Sequence, residues 1–320
     1  MNDQIVQVLK QLLKQYASQG GKTFQIKAIK KGLKNIETHE SKIPSGVYAK
    51  KNIVGVGKGL SERIDEILRT GTLGELITND QTRILQELCS VFGIGPKKAK
   101  TLYDDGYRSI VDLQKGVAAN KLKLPHHTLL GLKYYEDMET RIPRGEVSKL
   151  SKILKRAIKT VDKGLVFEVC GSYRRGARTC GDMDVLMSHP GVSGDIAEYK
   201  FLEKLVEVLG KIGFLVGHLT TKGGKKYMGL CKLEAHSKAR RIDIRCVDWS
   251  AYYPAMIYFT GSKNFNIKIR RKALELGYSL SEYGFKNEET GELVTVNSEE
   301  ELFEIIEEDY VQPTAREMGK

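Results

Sequence analysis

The chain changes texture once, near residue 165, and that change limits the folds open to it. Up to about residue 140 it reads as short helices with lysine-rich faces, such as QIVQVLKQLLKQY, TFQIKAIKKGLKNI and LSERIDEILRTG. After a further helix, VSKLSKILKRAIKTV, the runs become short, β-branched or aromatic-rich, and bounded by turns. These are LVFEVCGS, DMDVLMSH, KYMGLCKL and RRIDIRCVD, with a helix AEYKFLEKLVEVLGKIG between the second and third. A helical region KNFNIKIRRKALELG and a mixed acidic tail follow. Helices first and mixed elements afterwards predict an all-α N-terminal part and then an α+β part with an antiparallel or mixed sheet.

A length of 320 residues agrees with more than one domain. TGTLGELITND supplies Gly and Asn punctuation before residue 80, and Pro143 in RIPRG would interrupt any continuing helix. The expected divisions are residues 1–79, 80–140, 141–249 and 250–320. No run of about 18 apolar residues exists, and MNDQIVQVLKQLLKQYASQG reads as a polar amphipathic helix rather than a signal peptide. The expectation is a soluble, intracellular protein with no membrane partner. Cys89, Cys170, Cys180, Cys231 and Cys246 form an odd set without a C-x-x-C pair, which argues for reduced thiols and against a zinc or redox motif.

Charge is uneven. Residues 282–320 hold 12 Asp/Glu against 3 Lys/Arg, a net −9, so the rest of the chain carries +21 of a total of +12. A basic body of that size suits a polyanion, although a lysine-rich surface can also serve solubility alone. An internal echo sharpens the point. VGVGKGLSERI and FGIGPKKAKTL share G-aliphatic-G before a basic helix, with Gly55 and Gly57 in one copy and Gly93 and Gly95 in the other. Each resembles a helix-hairpin-helix turn. Glycines admit a phosphate close to the backbone, the next helix aims N–H groups at it, and Lys58, Lys97 and Lys98 add charge. A single copy would read as an ordinary connection between helices.

The stretch GSYRRGARTCGDMD then joins a basic end to an acidic one. On a strand, Asp182 and Asp184 project to one side while Met183 and Val185 turn inward. Paired carboxylates repel unless a cation separates them, and Mg²⁺ takes oxygen ligands while leaving places for substrate phosphates. In RRIDIRC, Asp243 shares a face with Arg241 and Arg245, so a salt bridge is its plain reading. If that strand lies beside the first, three carboxylates can hold two metals roughly 4 Å apart. Ser172, Arg175 and the N–H groups of the Cys180–Gly181 turn could cradle phosphates.

The spacing G-S-x9-D-x-D resembles the nucleotidyltransferase superfamily. Together with YFTGSKNFNIKIRRKALELGYSLSEYG, RRIDIR and RIPR, it resembles the family X DNA polymerases, nearest their beta type, from the first helix-hairpin-helix to DYVQP. The resemblance implies a multi-domain α and α+β fold. Residues 1–79 would be a lyase-like, DNA-end-binding helical domain, and residues 80–140 a DNA-binding subdomain with the second helix-hairpin-helix. Residues 141–249 would be a nucleotidyltransferase-type palm with a mixed sheet, and 250–320 a C-terminal α+β subdomain that binds the nascent base pair. Asp182, Asp184 and Asp243 would bind two Mg²⁺ ions, with Mn²⁺ able to substitute, and Asp243 would act on the primer hydroxyl proton while Arg241 balances it. Arg141, Ser172, Arg175, Cys180 and Gly181 would meet the triphosphate. The backbone at Tyr258, Phe259 and Gly261 would pack the sugar, Lys263 and Asn266 the base, and Arg270 the template strand. Gly55, Gly57, Lys58, Arg63, Gly93, Gly95 and Lys97 would bind DNA, with a monovalent cation at the helix-hairpin-helix turns.

The departures carry information. Lys263 stands where the beta type has an acidic residue, and Cys180 where a serine is usual; a thiol is the weaker donor. The 5′-deoxyribose phosphate lyase of the family needs a lysine that can lose its proton, and the matching position is Arg63. A guanidinium stays protonated, so lyase activity is expected to be absent or weak, with Arg63 and Lys58 still able to hold a 5′-phosphate. Gln25, Ile29 and Gly59 also stand where the family often has other residues. The expected protein is a monomeric DNA-directed DNA polymerase for short-gap filling in base excision repair, nuclear if its source is eukaryotic. It would act on gapped or nicked DNA and deoxynucleoside triphosphates, with repair proteins as further partners. The alternatives are a template-independent terminal transferase, disfavoured by the short LTTKGGKKYMG connection, and a non-catalytic DNA-end-binding scaffold, disfavoured by the intact aspartates.

Overall fold

The computed structural model of the chain describes residues 2–19, 22–76, 80–220 and 223–317. It divides into two compact units, residues 1–133 and 134–318.

The first unit is helical: α1 (Asp3–Gln19), α2 (Thr23–Glu37), α3 (Gly46–Asn52), α4 (Lys58–Thr70), α5 (Asp80–Ser90), α6 (Pro96–Asp104), α7 (Ile110–Ala118) and α8 (His126–Lys133). Local chemistry sets several of these starts. The hydroxyls of Ser45 and Ser109 accept from the N–H groups of Tyr48 and Asp112, so each caps a helix that follows it. Leu9, Leu12, Ile36, Ile64 and Ile67 recur on inward faces and are fully or almost fully buried in a cluster confined to residues 5–76. Helix α1 also touches α5 and α6, so helices on both sides of residue 79 share this unit. Of the expected boundary segment, residues 77–79 lie outside the described residues.

The two sequence echoes fold alike. A connection of residues 53–57 joins α3 to α4, and one of residues 91–95 joins α5 to α6. Gly55 (φ 89°) and Gly93 (φ 86°) take left-handed conformations that a side chain would resist. Gly57 and Gly95 are the extended N-caps of α4 and α6, and a Cβ there would meet nothing within 4 Å.

The second unit contains α9 (Tyr135–Glu139), β1 (Ile142–Pro143), α10 (Arg144–Val161), β2 (Val166–Val169), α11 (Gly171–Arg174), β3 (Thr179–Cys180), β4 (Met183–Ser188), α12 (Phe201–Lys211), β5 (Leu215–His218), β6 (Lys226–Cys231) and β7 (Arg240–Cys246). The order β2-β4-β7-β6-β5 makes a mixed five-stranded sheet, parallel only between β4 and β7. One face is closed by α10 and α12, whose Leu150, Leu154, Leu202 and Leu205 bury Met183, Val185, Ile242 and Ile244. Leu186 faces the other way, onto Tyr252, Ala255 and Met256 of α13 (Tyr252–Thr260). There follow α14 (Lys263–Glu275), the hairpin of β8 (Tyr278–Ser281) and β9 (Gly284–Asn287), and α15 (Glu299–Ile305), around Phe265, Phe285 and Phe303.

Four features differ from the sequence reading. GSYR after β2 is the one-turn helix α11 rather than a strand end. β5, the β8–β9 hairpin and α13 had no clear signal. YYPAMIYFT is apolar almost throughout, and a helix mostly buried on all sides then shows no face for periodicity to reveal.

Candidate active site

The site begins with register. β4 and β7 run parallel with Asp184 opposite Asp243, and β7 alternates buried and half-buried residues along its whole length. Ile242 and Ile244 therefore point into the core while Arg241, Asp243 and Arg245 point out. Asp182 stands one residue before β4. One carboxylate oxygen from each of Asp182, Asp184 and Asp243 lies within 4.8 Å of the others.

Next to them, β2 ends in a turn that only glycine fits. Gly171 has φ 57°, and a Cβ there would stand 2.3 Å from Asp184 Oδ2. The turn thus packs its backbone against Asp184 and starts α11, which carries Ser172 and Arg174 and is C-capped by Arg175.

Burial, followed by the charges of Asp182 and Asp243, pushes the Asp184 carboxyl up to about 7 against the pull of Arg241 and Arg175. Burial also raises Asp243, opposed chiefly by Arg241. Arg241 Nη2 donates to Asp182 Oδ2 and lies 3.5 Å from Asp243 Oδ2, so it balances both strands and bonds Asp182 more closely than the Asp243 partner that alternation suggested. Among the described residues, Asp243 Oδ1 is buried without a hydrogen-bond partner. Three hard oxygen donors with an unpaired buried oxygen fit a divalent cation.

A cleft of about 580 Å³ opens from Asp182 and Asp184. Ser172, Arg175, Asp182 and Asp184 line its floor, while Tyr258, Phe259, Gly261, Lys263, Asn266 and Arg270 line the wall formed by the end of α13 and the start of α14. Lys263, Asn266 and Arg270 thus share the helix face their spacing predicts. Asn266 Nδ2 donates to Tyr258 O (2.6 Å), and its Oδ1 is buried without a partner among the described residues.

Other expected residues stand elsewhere. The Cys180 side chain is fully buried in the core beneath the five-stranded sheet, so its thiol faces away from the cleft and only the backbone of Cys180–Gly181 remains for a phosphate. Cys180 pairs with Ile142 across the short β1–β3 ladder, which turns its side chain inward. Arg141 is held by Thr179, with Nε donating to its hydroxyl (2.7 Å) and Nη2 to its carbonyl (2.6 Å).

In the first unit, Lys58, Gly57, Gly95 and Lys97 are exposed on the hairpins. Arg63 is not free. Its Nε and Nη2 donate to Glu75 Oε1 (2.5 Å) and Oε2 (3.2 Å), its Nη2 to Tyr16 Oη (3.2 Å), and its Nη1 to Gly59 O (3.1 Å). Tyr16 donates to the same carboxylate at 2.5 Å. The guanidinium is spent inside the domain, which leaves Lys58 as the freer cation for a 5′-phosphate.

Sequence reasoning missed Thr260, Glu299 and Glu317. Arg174 donates to Thr260 Oγ1 (2.9 Å) and to both oxygens of Glu299, which also accepts from the fully buried Arg316. These contacts join residues up to 125 apart, so no local pattern announces them.

Known families match the chain in the same order as these parts. A helix-hairpin-helix domain matches residues 1–73, the fingers domain of DNA polymerase lambda residues 86–139, the DNA polymerase beta palm residues 141–249, and the DNA polymerase beta thumb residues 255–317. The chain is 31% identical to DNA polymerase lambda of Rattus norvegicus over 99% of its own length and 56% of that protein's. It is 35% identical to DNA polymerase lambda of Arabidopsis thaliana over 79% of this chain and 49% of the relative. It is 25% identical to DNA nucleotidylexotransferase of Gallus gallus over 86% of this chain and 60% of the relative. The chain spans about half the length of the two lambda polymerases. Four domains in family order, and a carboxylate triad on the palm sheet beside a cleft, place the chain among the family X DNA polymerases, in their beta and lambda branch.

Proposed function

We propose that the protein is a DNA-directed DNA polymerase that adds deoxynucleotides to a primer 3′-hydroxyl and fills short gaps during DNA repair, acting as a monomer on gapped or nicked DNA. The observation that carries this reading is the convergence of Asp182, Asp184 and Asp243 within 4.8 Å, with Asp182 and Asp184 lining a cleft large enough for a nucleotide. The division into an end-binding domain, a second DNA-binding subdomain, palm and C-terminal subdomain belongs to the same proposal.

Asp182 and Asp184 would hold two Mg²⁺ ions, with Asp243 on one of them; Mn²⁺ offers the same oxygen chemistry. When bound, the metals supply activation of the primer hydroxyl and charge compensation at the triphosphate. The chain's own groups do the rest. Ser172, Arg175 and the backbone N–H groups near Gly181 bind phosphate oxygens, so the α-phosphorus is fixed before attack. Asp243 would take or relay the proton of the primer 3′-hydroxyl, whose oxygen bonds to the α-phosphorus as pyrophosphate leaves. The Tyr258–Gly261 backbone limits room beside the sugar, and Asn266 keeps its Oδ1 for the base pair.

Template direction is favoured over terminal transfer by the seven residues between His218 of β5 and Lys226 of β6, too few to fill a template position. Thr221 and Lys222 of that connection lie outside the described residues. Lyase activity is expected to be absent or weak, because Arg63 stays protonated and is already bonded on all three nitrogens.

Incorporation on a one-nucleotide gap, with and without a template base and with and without a 5′-phosphate, tests the reading. Templated extension that Asp243→Ala lowers by at least about 10³-fold, with DNA binding retained, is the expected outcome. Equal extension without a template would favour the transferase, and no extension with Mg²⁺ or Mn²⁺ would favour a scaffold. Borohydride trapping on incised abasic DNA should give little adduct.

A further inference from the structure

Arg174 and Arg175 are neighbours with opposite assignments, and the difference lies in their partners. The Arg174 guanidinium is consumed by Thr260 Oγ1 and both oxygens of Glu299. Arg175 lines the cleft and is anchored at two of its three nitrogens: Nε donates to Glu317 Oε1 (2.7 Å) and Nη1 to the Thr260 carbonyl (2.7 Å). Among the described residues its Nη2 has no partner. A guanidinium carries five donors in a rigid plane, so two fixed N–H groups set the direction of those that remain.

The anchor is itself built. Arg316, beside Glu317, is fully buried, and it donates to Glu299 Oε1 (2.8 Å) and Val311 O (2.8 Å). Its carbonyl accepts from Ser262 N (3.3 Å) and Oγ (2.7 Å), which ties residues 316–317 to the turn at the wall of the cleft. Thr314 closes against the other side, 3.1 Å from where a Gly176 Cβ would stand.

We propose that Glu317 is a positioning residue for the nucleotide: through Arg175 Nε it holds the guanidinium edge-on, so that Nη2 faces the triphosphate. This deepens the polymerase reading and rests on it. A flexible arginine would lose rotamer freedom on meeting a phosphate, whereas one already clamped at Nε and Nη1 has lost it beforehand. The clamp needs an acceptor at Glu317 rather than its charge. The carboxylate also cancels part of the guanidinium's field, so a neutral acceptor of the same shape should serve as well or better.

The test is steady-state and single-turnover incorporation opposite one templating base by the full chain. Glu317→Ala should raise KM for the incoming nucleotide about five- to tenfold with kcat within about twofold, since the lost interaction orients binding rather than the reacting atoms. Glu317→Gln should restore KM to the original value or below. In an Arg175→Ala background, Glu317→Ala should have no further effect, the signature of action through that arginine. The inference is overturned if Glu317→Ala leaves KM unchanged or lowers it, if Glu317→Gln is as impaired as Glu317→Ala, or if the two substitutions multiply independently. Failure of the unmutated protein to incorporate nucleotide would instead overturn the polymerase reading, so the two failures are distinguishable.

Discussion

Gly171 and Asp184 show how tightly one residue can bind sequence to chemistry. The Asp184 carboxylate packs against a backbone with no side chain, and an added Cβ would stand 2.3 Å from its Oδ2 at a φ of 57°. Gly171→Ala should therefore cost about 1–2 kcal/mol of stability and displace the carboxylate it abuts. A lowered melting temperature together with a loss of incorporation is expected, and wild-type rates in the variant would contradict this account. Glu75 gives a test of a different kind. Burial draws its carboxyl up, but hydrogen bonds from Arg63 and Tyr16 outweigh this and hold it below the usual value. A carboxylate lowered in the folded state adds stability above its unfolded pKa of about 4.3, and that stability is lost as pH falls through the folded value. Glu75→Gln should lower the urea midpoint at neutral pH, and the gap to the unmutated protein should close on acidification. A gap that persists unchanged at acid pH would show that the Arg63 cluster does not depend on the Glu75 charge.

At the scale of elements, what could be read in advance was whatever repeats over a few residues. Asp182, Asp184 and Asp243 were legible because a strand turns alternate residues to one side, and the condition left open by the sequence, that their strands lie side by side, is met by the parallel β4–β7 pair. The inward turn of Cys180 was not legible, because it follows from a two-residue ladder with Ile142 that leaves no alternation to read. Arg175–Glu317 was beyond reach for a simpler reason: its two ends lie 142 residues apart, and no local pattern links them. The helix-hairpin-helix echoes were legible and now divide into two kinds of glycine. Gly93 is needed by the fold, since its φ is 86° and a Cβ would stand 2.4 Å from Thr128 Oγ1. Gly57 and Gly95 have φ −88° and −85°, which any residue adopts, and open space where a Cβ would stand. Gly93→Ala should then cost more than about 1 kcal/mol in stability. Gly57→Ala and Gly95→Ala should stay within about 0.5 kcal/mol yet weaken DNA binding about three- to tenfold, by holding phosphates off the backbone. Thermal melts and binding titrations on the same samples separate the two classes. Unchanged DNA affinity in both exposed-glycine variants would remove the hairpins from the interface.

Across the whole molecule the charge is segregated rather than balanced. Residues 282–320 are net −9 and the remainder net +21. The acidic stretch is not simply a tail: Glu299 is buried between Arg174 and Arg316, whereas Glu300 and Glu304 of α15 are exposed. A polyanion held by phosphate contacts should feel the basic part, and binding should weaken with salt with a slope of about −0.9 for each phosphate neutralised. Lys58 and Lys97, exposed at the first turns of α4 and α6, are then expected to contribute about one unit of that slope each. Measured by fluorescence anisotropy on gapped DNA between about 50 and 200 mM salt, Lys58→Gln and Lys97→Gln should flatten the plot singly and add when combined, because the two turns share no partner. Glu300→Gln and Glu304→Gln should leave it parallel to that of the unmutated protein. Parallel plots for the lysine variants, or a slope altered by the acidic ones, would mean that DNA is gripped by a different face of the chain.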